Sequence, residues 1–378
     1  MSQVRFLHTA DWQLGMTRHF FSEGVQERYS QARFDAIRKL GLLAKDEDCS
    51  FVLVCGDAFE SNQVDRRTVA RACEALKEIS VPVFILPANH DPLNAASVFQ
   101  SSTFTEQKPV HVKVIEDTAV LEIAPGVELV GAPWRSKKPA TNPLHELLDV
   151  LPTCGETVRI VAGHGMVDAF TPDKDAPAVL SVDQLEHAIH EGKASFIALG
   201  DRHSATKLGA GDRIWYSGTP VSTDFREDNS GRALVVEVDG GNVNVHEFVV
   251  GDWDFTEFDH VDVNDSDDLN NLARTFDGIA NKERTVLRVR LFGGLTLGLR
   301  VHLDTILQSA ADLFAGFDVR DDDVVVMPDD ADFSDLGFSG FADKTVSRLR
   351  EKIEAGGSDT DQARDALMLL MRLSGGAA

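Results

Sequence analysis

The chain has no apolar run approaching the roughly 20 residues that cross a bilayer, so no membrane span is expected. Cysteine is scarce. Cys49, Cys55, Cys73 and Cys154 are scattered and form no CxxC pair, a thin framework for disulfides in a chain this long. Reduced thiols are the expectation. Met-Ser-Gln-Val-Arg-Phe leads straight into a strand-like segment without a signal-peptide pattern, which points to the cytoplasm. Internal repeats are missing, and the one biased tract is a run of Asp between residues 318 and 335. Positive charge is also in short supply, with 37 Lys and Arg against 61 Asp and Glu and a net charge of −24. That balance weighs against nucleic acid, whose phosphates are bound through Lys and Arg. The deficit is uneven: residues 251–340 hold 20 acidic against 7 basic side chains, whereas residues 341–378 hold six of each.

With 43% hydrophobic and 26% charged residues over 378 positions, the composition is that of a globular protein of two or three domains. The first 250 residues alternate short β-branched runs with amphipathic stretches, the pattern of an α/β core. Strands are expected at Val4–His8, Phe51–Cys55, Val83–Leu86, Val112–Ile115, Glu128–Gly131, Val158–Ala162, Phe196–Leu199, Ile214–Tyr216, Ala233–Val238 and Val243–Val249. Helices are expected at Gln31–Lys45, Arg66–Ile79, Pro143–Val150 and Val182–Glu191. After Gly251 the composition turns acidic, and a strand, a helix (Leu297–Phe314) and a further strand imply a small α+β cap over 251–330. Residues 331–340 read as a linker, rich in Asp, Ser and Gly. Residues 341–378 read as a helical tail in which Ala366, Leu369, Leu370 and Leu373 share a face.

Chemistry gathers in the segments that follow strands. Asp11-Trp12-Gln13 follows the first, Gly56-Asp57-Ala58-Phe59-Glu60 the second and Asn89-His90-Asp91 the third; Gly163-His164 and Gly200-Asp201-Arg202-His203 follow two later ones. In open α/β sheets the carboxyl ends of the strands form the ligand crevice, so five such loops converge on one place. The donors are oxygen and imidazole with no thiolate, which suits Mn²⁺, Mg²⁺ or Fe²⁺ better than a structural zinc. The remaining histidines lie outside these loops and read as surface or packing residues. Trp12, Phe20 and Phe21 are either core or a stacking platform for bases.

This series of motifs resembles the calcineurin-like metallophosphoesterases, and within them the SbcD-type DNA repair exonuclease subunits. His8-Thr9-Ala10-Asp11-Trp12-Gln13-Leu14-Gly15 is similar to that group's opening segment, and Gly218-Thr219-Pro220 to its Gly-Ser-Pro turn. The resemblance implies a four-layer β-sandwich flanked by helices over residues 1–250, with two divalent cations bridged by Asp57. Asp11, Gln13 and His203 would complete one site, and Asn89, His164 and Asp201 the other. It further implies that His90 is a general acid oriented by Asp91, and that the reaction is an in-line hydrolysis of phosphodiesters. Its expected partners are DNA and an SbcC-like ATPase met through the tail; the resemblance also leaves room for a homodimer.

Two positions depart from the family pattern. Gln13 stands where the family usually has His, and Asp201 where it has the first His of Gly-His-x-His. The site thereby carries three carboxylates instead of two, a harder set that favours Mn²⁺ or Mg²⁺. Gln13 is the weaker, neutral ligand. Besides a DNA nuclease, a phosphodiesterase for small substrates and a metal-poor protein that only binds DNA ends are the competing readings.

Overall fold

The computed structural model describes residues 3–174, 176–239, 241–326 and 341–357, together with 359, 360, 362, 363, 366, 367, 369 and 370. It divides into two compact units: Met1–Thr256 with Arg284–Val286, and Glu257–Glu283 with Leu287–Ala378.

In the first unit, short Val- and Leu-rich segments form the parallel strands β1 (Gln3–Thr9), β2 (Val52–Val54), β3 (Val83–Ile85) and β4 (Val112–Val114). β2 and β3 are wholly buried and β1 mostly so, as continuous apolar runs require of strands covered on both faces, whereas the edge strand β4 buries only Val112. The hairpin of β11 (Arg232–Asp239) and β12 (Asn242–Val249) adds antiparallel to β1, giving the order β12-β11-β1-β2-β3-β4. A second six-stranded sheet is built from β5 (Leu121–Ala124), β6 (Val127–Gly131), β7 (Val158–His164), β8 (Phe196–Gly200), β9 (Thr206–Lys207) and β10 (Ile214–Tyr216), in the order β5-β6-β7-β8-β10-β9. Its four central strands are also parallel.

The two sheets face one another across a single core that includes Phe6, Leu53 and Phe84 from the first and Leu129, Ile160 and Phe196 from the second. Phe6 stacks on Phe51 at 4.9 Å between centroids and meets the edge of Phe196 at 5.7 Å. The outer face of the second sheet is covered by α4 (Pro143–Val150) and α5 (Val182–His190), through Leu144, Leu147, Leu148 and Leu185. On the first sheet's side lie α1 (Glu23–Asp46), α2 (Arg66–Leu76) and α3 (Ser102–Gln107), which bury Phe34, Ile37, Leu40, Val69, Leu76 and Phe104. The layers therefore run helix, sheet, sheet, helix. Helix α1 begins eight residues before the expected Gln31: Tyr29 is fully buried, so packing extends the helix beyond its periodic stretch.

The second unit is a small α+β body: a sheet in the order β13-β14-β15 (Asp254–Asp262, Thr285–Leu295, Gly316–Val326) with α6 (Ser266–Gly278) and α7 (Leu297–Leu313). Leu269, Leu272, Phe276, Leu287, Val289, Leu291 and Leu303 form its core. A further helix, α8, spans Phe341–Ala355. The expected linker at 331–340 lies outside the described residues, as does Leu373. Of the apolar face expected in the tail, Ala366 and Leu369 are exposed and Leu370 is half-buried, whereas Ala363 and Leu367 are buried. Among the described residues no helix is long and apolar enough to cross a membrane.

Candidate metal centre

All five loops singled out in the sequence leave the carboxyl ends of parallel strands, β1, β2 and β3 from one sheet and β7 and β8 from the other. The face-to-face sandwich brings the two sets together. Ligand atoms of Asp11, Asp57 and His164 all lie within 4.8 Å of one another, and all three residues are buried. His164 Nε2 is 3.4 Å from Asp57 Oδ2 and 3.5 Å from Asp201 Oδ1. The Asp201 backbone N–H donates to both carboxylate oxygens of Asp11, at 3.2 and 3.1 Å. Gln13 Nε2 lies 3.1 Å from His203 Nε2.

The backbone is bent hard to achieve this. Asp11, Gln13, Asp57 and Asp201 all adopt positive φ, at 54°, 44°, 52° and 101°, a region that costs a non-glycine residue energy and that persists only where surrounding structure enforces it. Here the enforcement is visible: the Asp11 and Gln13 N–H groups donate to the Gly56 and Asp57 carbonyls at 3.0 and 2.9 Å, stitching the first loop to the second. Glycine is demanded beside them. A Cβ at Gly56 would lie 2.2 Å from His164 Nδ1, and one at Gly200 would lie 1.9 Å from the Cys55 carbonyl oxygen.

Each imidazole is held by its other nitrogen. His164 Nδ1 lies 2.8 Å from Cys55 O, so Nδ1–H donates there and Nε2 faces the carboxylates. His203 Nδ1 is 2.7 Å from Glu227 Oε1 and 2.8 Å from Thr223 Oγ1, with its Nε2 turned toward Gln13. His90 donates its backbone N–H to Asp57 Oδ1 at 3.0 Å, and its Nδ1 lies 2.9 Å from the Glu60 carbonyl oxygen. Asp91, expected to orient His90, instead accepts from the Ala88 and Phe59 amides at 2.9 and 3.0 Å. It fixes the loop's backbone, while Glu60 holds the His90 ring.

Burial pushes the Asp11 carboxyl up to about 7, against the pull of His203 and His164, and pushes Asp91 up to about 7 with Asp57 adding to it. Burial works the same way on Asp57, but the neighbouring His164 and His90 outweigh it and hold Asp57 below the usual carboxylate range. Burial disfavours charge on His203, yet Glu227 and Asp11 raise it to about 9. His164 is likewise raised, against its burial, by Asp57 and Asp201. Protons bridging so many acids and imidazoles are what a cation would replace.

The orphaned atoms say where. Gln13 Oε1, Asn89 Oδ1 and His164 Nε2 are buried without a hydrogen-bond partner, and an unpaired buried polar atom is costly. These donors, with the Asp11, Asp57 and Asp201 carboxylates and His203 Nε2, make an oxygen-and-imidazole set that fits divalent cations of the Mn²⁺ or Mg²⁺ kind. Glu227 and Thr223 join the site without belonging to any of the five sequence motifs. They lie just past the Gly218-Thr219-Pro220 turn, whose Thr219 hydroxyl donates to Asp11 O at 2.8 Å, and that turn is the one sequence signal pointing to them. Of the aromatic residues weighed as a platform, Trp12 is buried, Phe21 packs on Tyr29 and Trp253, and Phe20 is exposed.

A twelve-stranded sandwich thus carries a carboxylate and imidazole cluster across its strand ends, a donor set of the kind that holds divalent cations. Residues 4–236 match the calcineurin-like phosphoesterase family, and the chain belongs to it. Over 113 residues it is 30% identical to the SbcD component of the nuclease SbcCD from Bacillus subtilis (strain 168), an alignment covering 29% of this chain and 27% of that protein. The chain thus matches little more than a quarter of that relative's length. Among solved structures it is similar to a dimetal phosphatase from Danio rerio, with 14% identity and a TM-score of 0.43 over 65% of this chain and 99% of that one. It is also similar to the purple acid phosphatase PPD1 of yellow lupin, with 11% identity and a TM-score of 0.42 over 66% of this chain and 52% of that one.

Proposed function

We propose that this phosphoesterase hydrolyses the phosphodiester bonds of DNA with two divalent cations, Mn²⁺ or Mg²⁺. Asp57 would be shared between them, Asp11, Gln13 and His203 would hold one, and Asn89, His164 and Asp201 would hold the other. The observation that carries the reading is the set of buried, unpartnered donors on Gln13, Asn89 and His164 around the buried Asp11 and Asp57 carboxylates. When bound, the cations supply Lewis-acid stabilisation of the charge that develops on the phosphoryl oxygens. The chain's own residues orient and move protons. His90 Nε2 lies 4.0 Å from Asp57 Oδ2 on a ring held at Nδ1 by Glu60 O, so a protonated ring offers its Nε2–H to a leaving oxygen at the mouth of the site.

DNA as substrate is supported by the similarity to the B. subtilis nuclease component. That relative is one subunit of a nuclease, and by analogy the tail at 341–378 is assigned to docking on an SbcC-like ATPase in the cytoplasm. Exposed Ala366 and Leu369 supply apolar surface for a helix groove. The test is metal-dependent cleavage of linear duplex DNA beside hydrolysis of bis-p-nitrophenyl phosphate and cyclic nucleotides. Manganese-dependent DNA cleavage that Asp57→Asn abolishes is the expected result; activity confined to small diesters would overturn the DNA assignment. Deletion of residues 341–378 is expected to remove ATPase capture in a pull-down while small-diester turnover persists.

A further inference from the structure

Arg202 sits in sequence between two of the proposed ligands, Asp201 and His203, yet its own side chain turns elsewhere. The guanidinium lies over the ring of Phe170, 3.9 Å from the centroid, and its Nε–H donates to Thr206 Oγ1 at 2.9 Å. Among the described residues Arg202 has no carboxylate partner, in a chain whose acidic side chains outnumber basic ones 61 to 37. Phe170 belongs to the loop that follows His164. The neck of that loop is pinned by the bridge between Val167 and Leu180, and the Phe170 N–H donates to Val167 O at 3.1 Å. Despite this anchoring Phe170 as a residue stays 37% exposed. A partly exposed phenylalanine topped by a cation without a carboxylate partner is thus carried on both loops that supply ligands from β7 and β8.

We infer that the Phe170–Arg202 pair is a stacking platform for a nucleobase, and that it selects nucleoside esters over base-free phosphodiesters at this site. Planar bases stack on aromatic rings and guanidinium planes with little regard to sequence, while the guanidinium's charge attracts the adjoining phosphate. Both elements are held before any substrate arrives, so little ordering is needed on binding. The platform rests on the phosphodiesterase reading and narrows it to nucleic acid or nucleotide substrates. It also gives the site a route to anionic substrates that the molecule's overall charge does not.

The experiment compares kcat/KM for thymidine 5′-(p-nitrophenyl phosphate) with that for methyl p-nitrophenyl phosphate, in manganese, on the full chain. Wild type is expected to favour the nucleoside ester by about tenfold or more, the scale of one base stacked on one aromatic ring. Phe170→Ala and Phe170→Leu should each bring the ratio close to one, and Phe170→Tyr should keep it. Leu preserves apolar bulk, so it reads the loss of the ring even where Ala unsettles the loop. A wild-type ratio near one, or a ratio unchanged in both Ala and Leu variants, overturns the platform. Absence of turnover on both esters would instead overturn the phosphodiesterase reading beneath it.

Discussion

At the scale of single residues, Glu227 shows how a side chain outside the five ligand motifs can govern the cluster. It accepts from His203 Nδ1 and pairs with the Thr223 hydroxyl and amide, with its side chain only 7% exposed. That bond selects the tautomer whose Nε2 lone pair points at Gln13, and it raises the basicity of the imidazole. Glu227→Gln keeps the shape and removes the charge. It is expected to weaken manganese binding by about 10- to 100-fold, read by competition with a chromogenic chelator. The same network explains why this residue is invisible in the sequence: a lone Glu in a loop carries no spacing signal, and only the folded turn after Thr219 brings it to His203. The ligand motifs are legible because each directly follows an apolar strand.

At the scale of elements, β2 and β8 approach so closely at their ends that Gly200 leaves no room for a side chain against the Cys55 carbonyl. That oxygen is also the acceptor for His164 Nδ1. Gly200→Ala therefore pushes on backbone, which cannot swing away, and on the anchor of a proposed ligand at once. Overpacking of this kind costs about 1–3 kcal/mol or more. A lowered melting temperature with weakened manganese uptake is expected, and a wild-type value for both would refute the close contact. Most strands of the first unit can be read as continuous apolar runs because both sheet faces are buried, although β5, β9 and α3 carry no such signal. In the second unit only some can: α7 and the strands on either side of it stand near their expected places, whereas β13 and α6 carry no such signal. β13 is exposed along much of its length and α6 carries two Asp in its first turn, so the helix announces itself only through the Asp265 cap and the spacing of Leu269, Leu272 and Phe276. Burial, the signal that periodicity reports, is weaker there.

At the scale of the whole molecule, the centre makes stability depend on pH and on metal together. Asp11 and Asp91 have folded-state values raised to about 7, and His203 to about 9. A raised value stabilises the fold fully below the unfolded value and loses that contribution as pH climbs through the folded one. The metal-free protein should accordingly weaken between about pH 4 and about pH 9 through these three groups. Cations held at the proposed ligands Asp11 and His203 would take the place of the protons, so the rise in melting temperature on adding manganese should be larger near pH 8.5 than near pH 6, by about the scale that linkage sets. An equal or smaller rise at the higher pH, measured by calorimetry, would contradict this. The left-handed backbone at Asp11, Gln13, Asp57 and Asp201 has a separate consequence for directed evolution. Each such residue costs on the order of 1 kcal/mol that glycine would not. A library selected for heat resistance alone should therefore enrich glycine first at Gln13, whose side-chain oxygen is buried without a partner, and members carrying it should bind manganese more weakly.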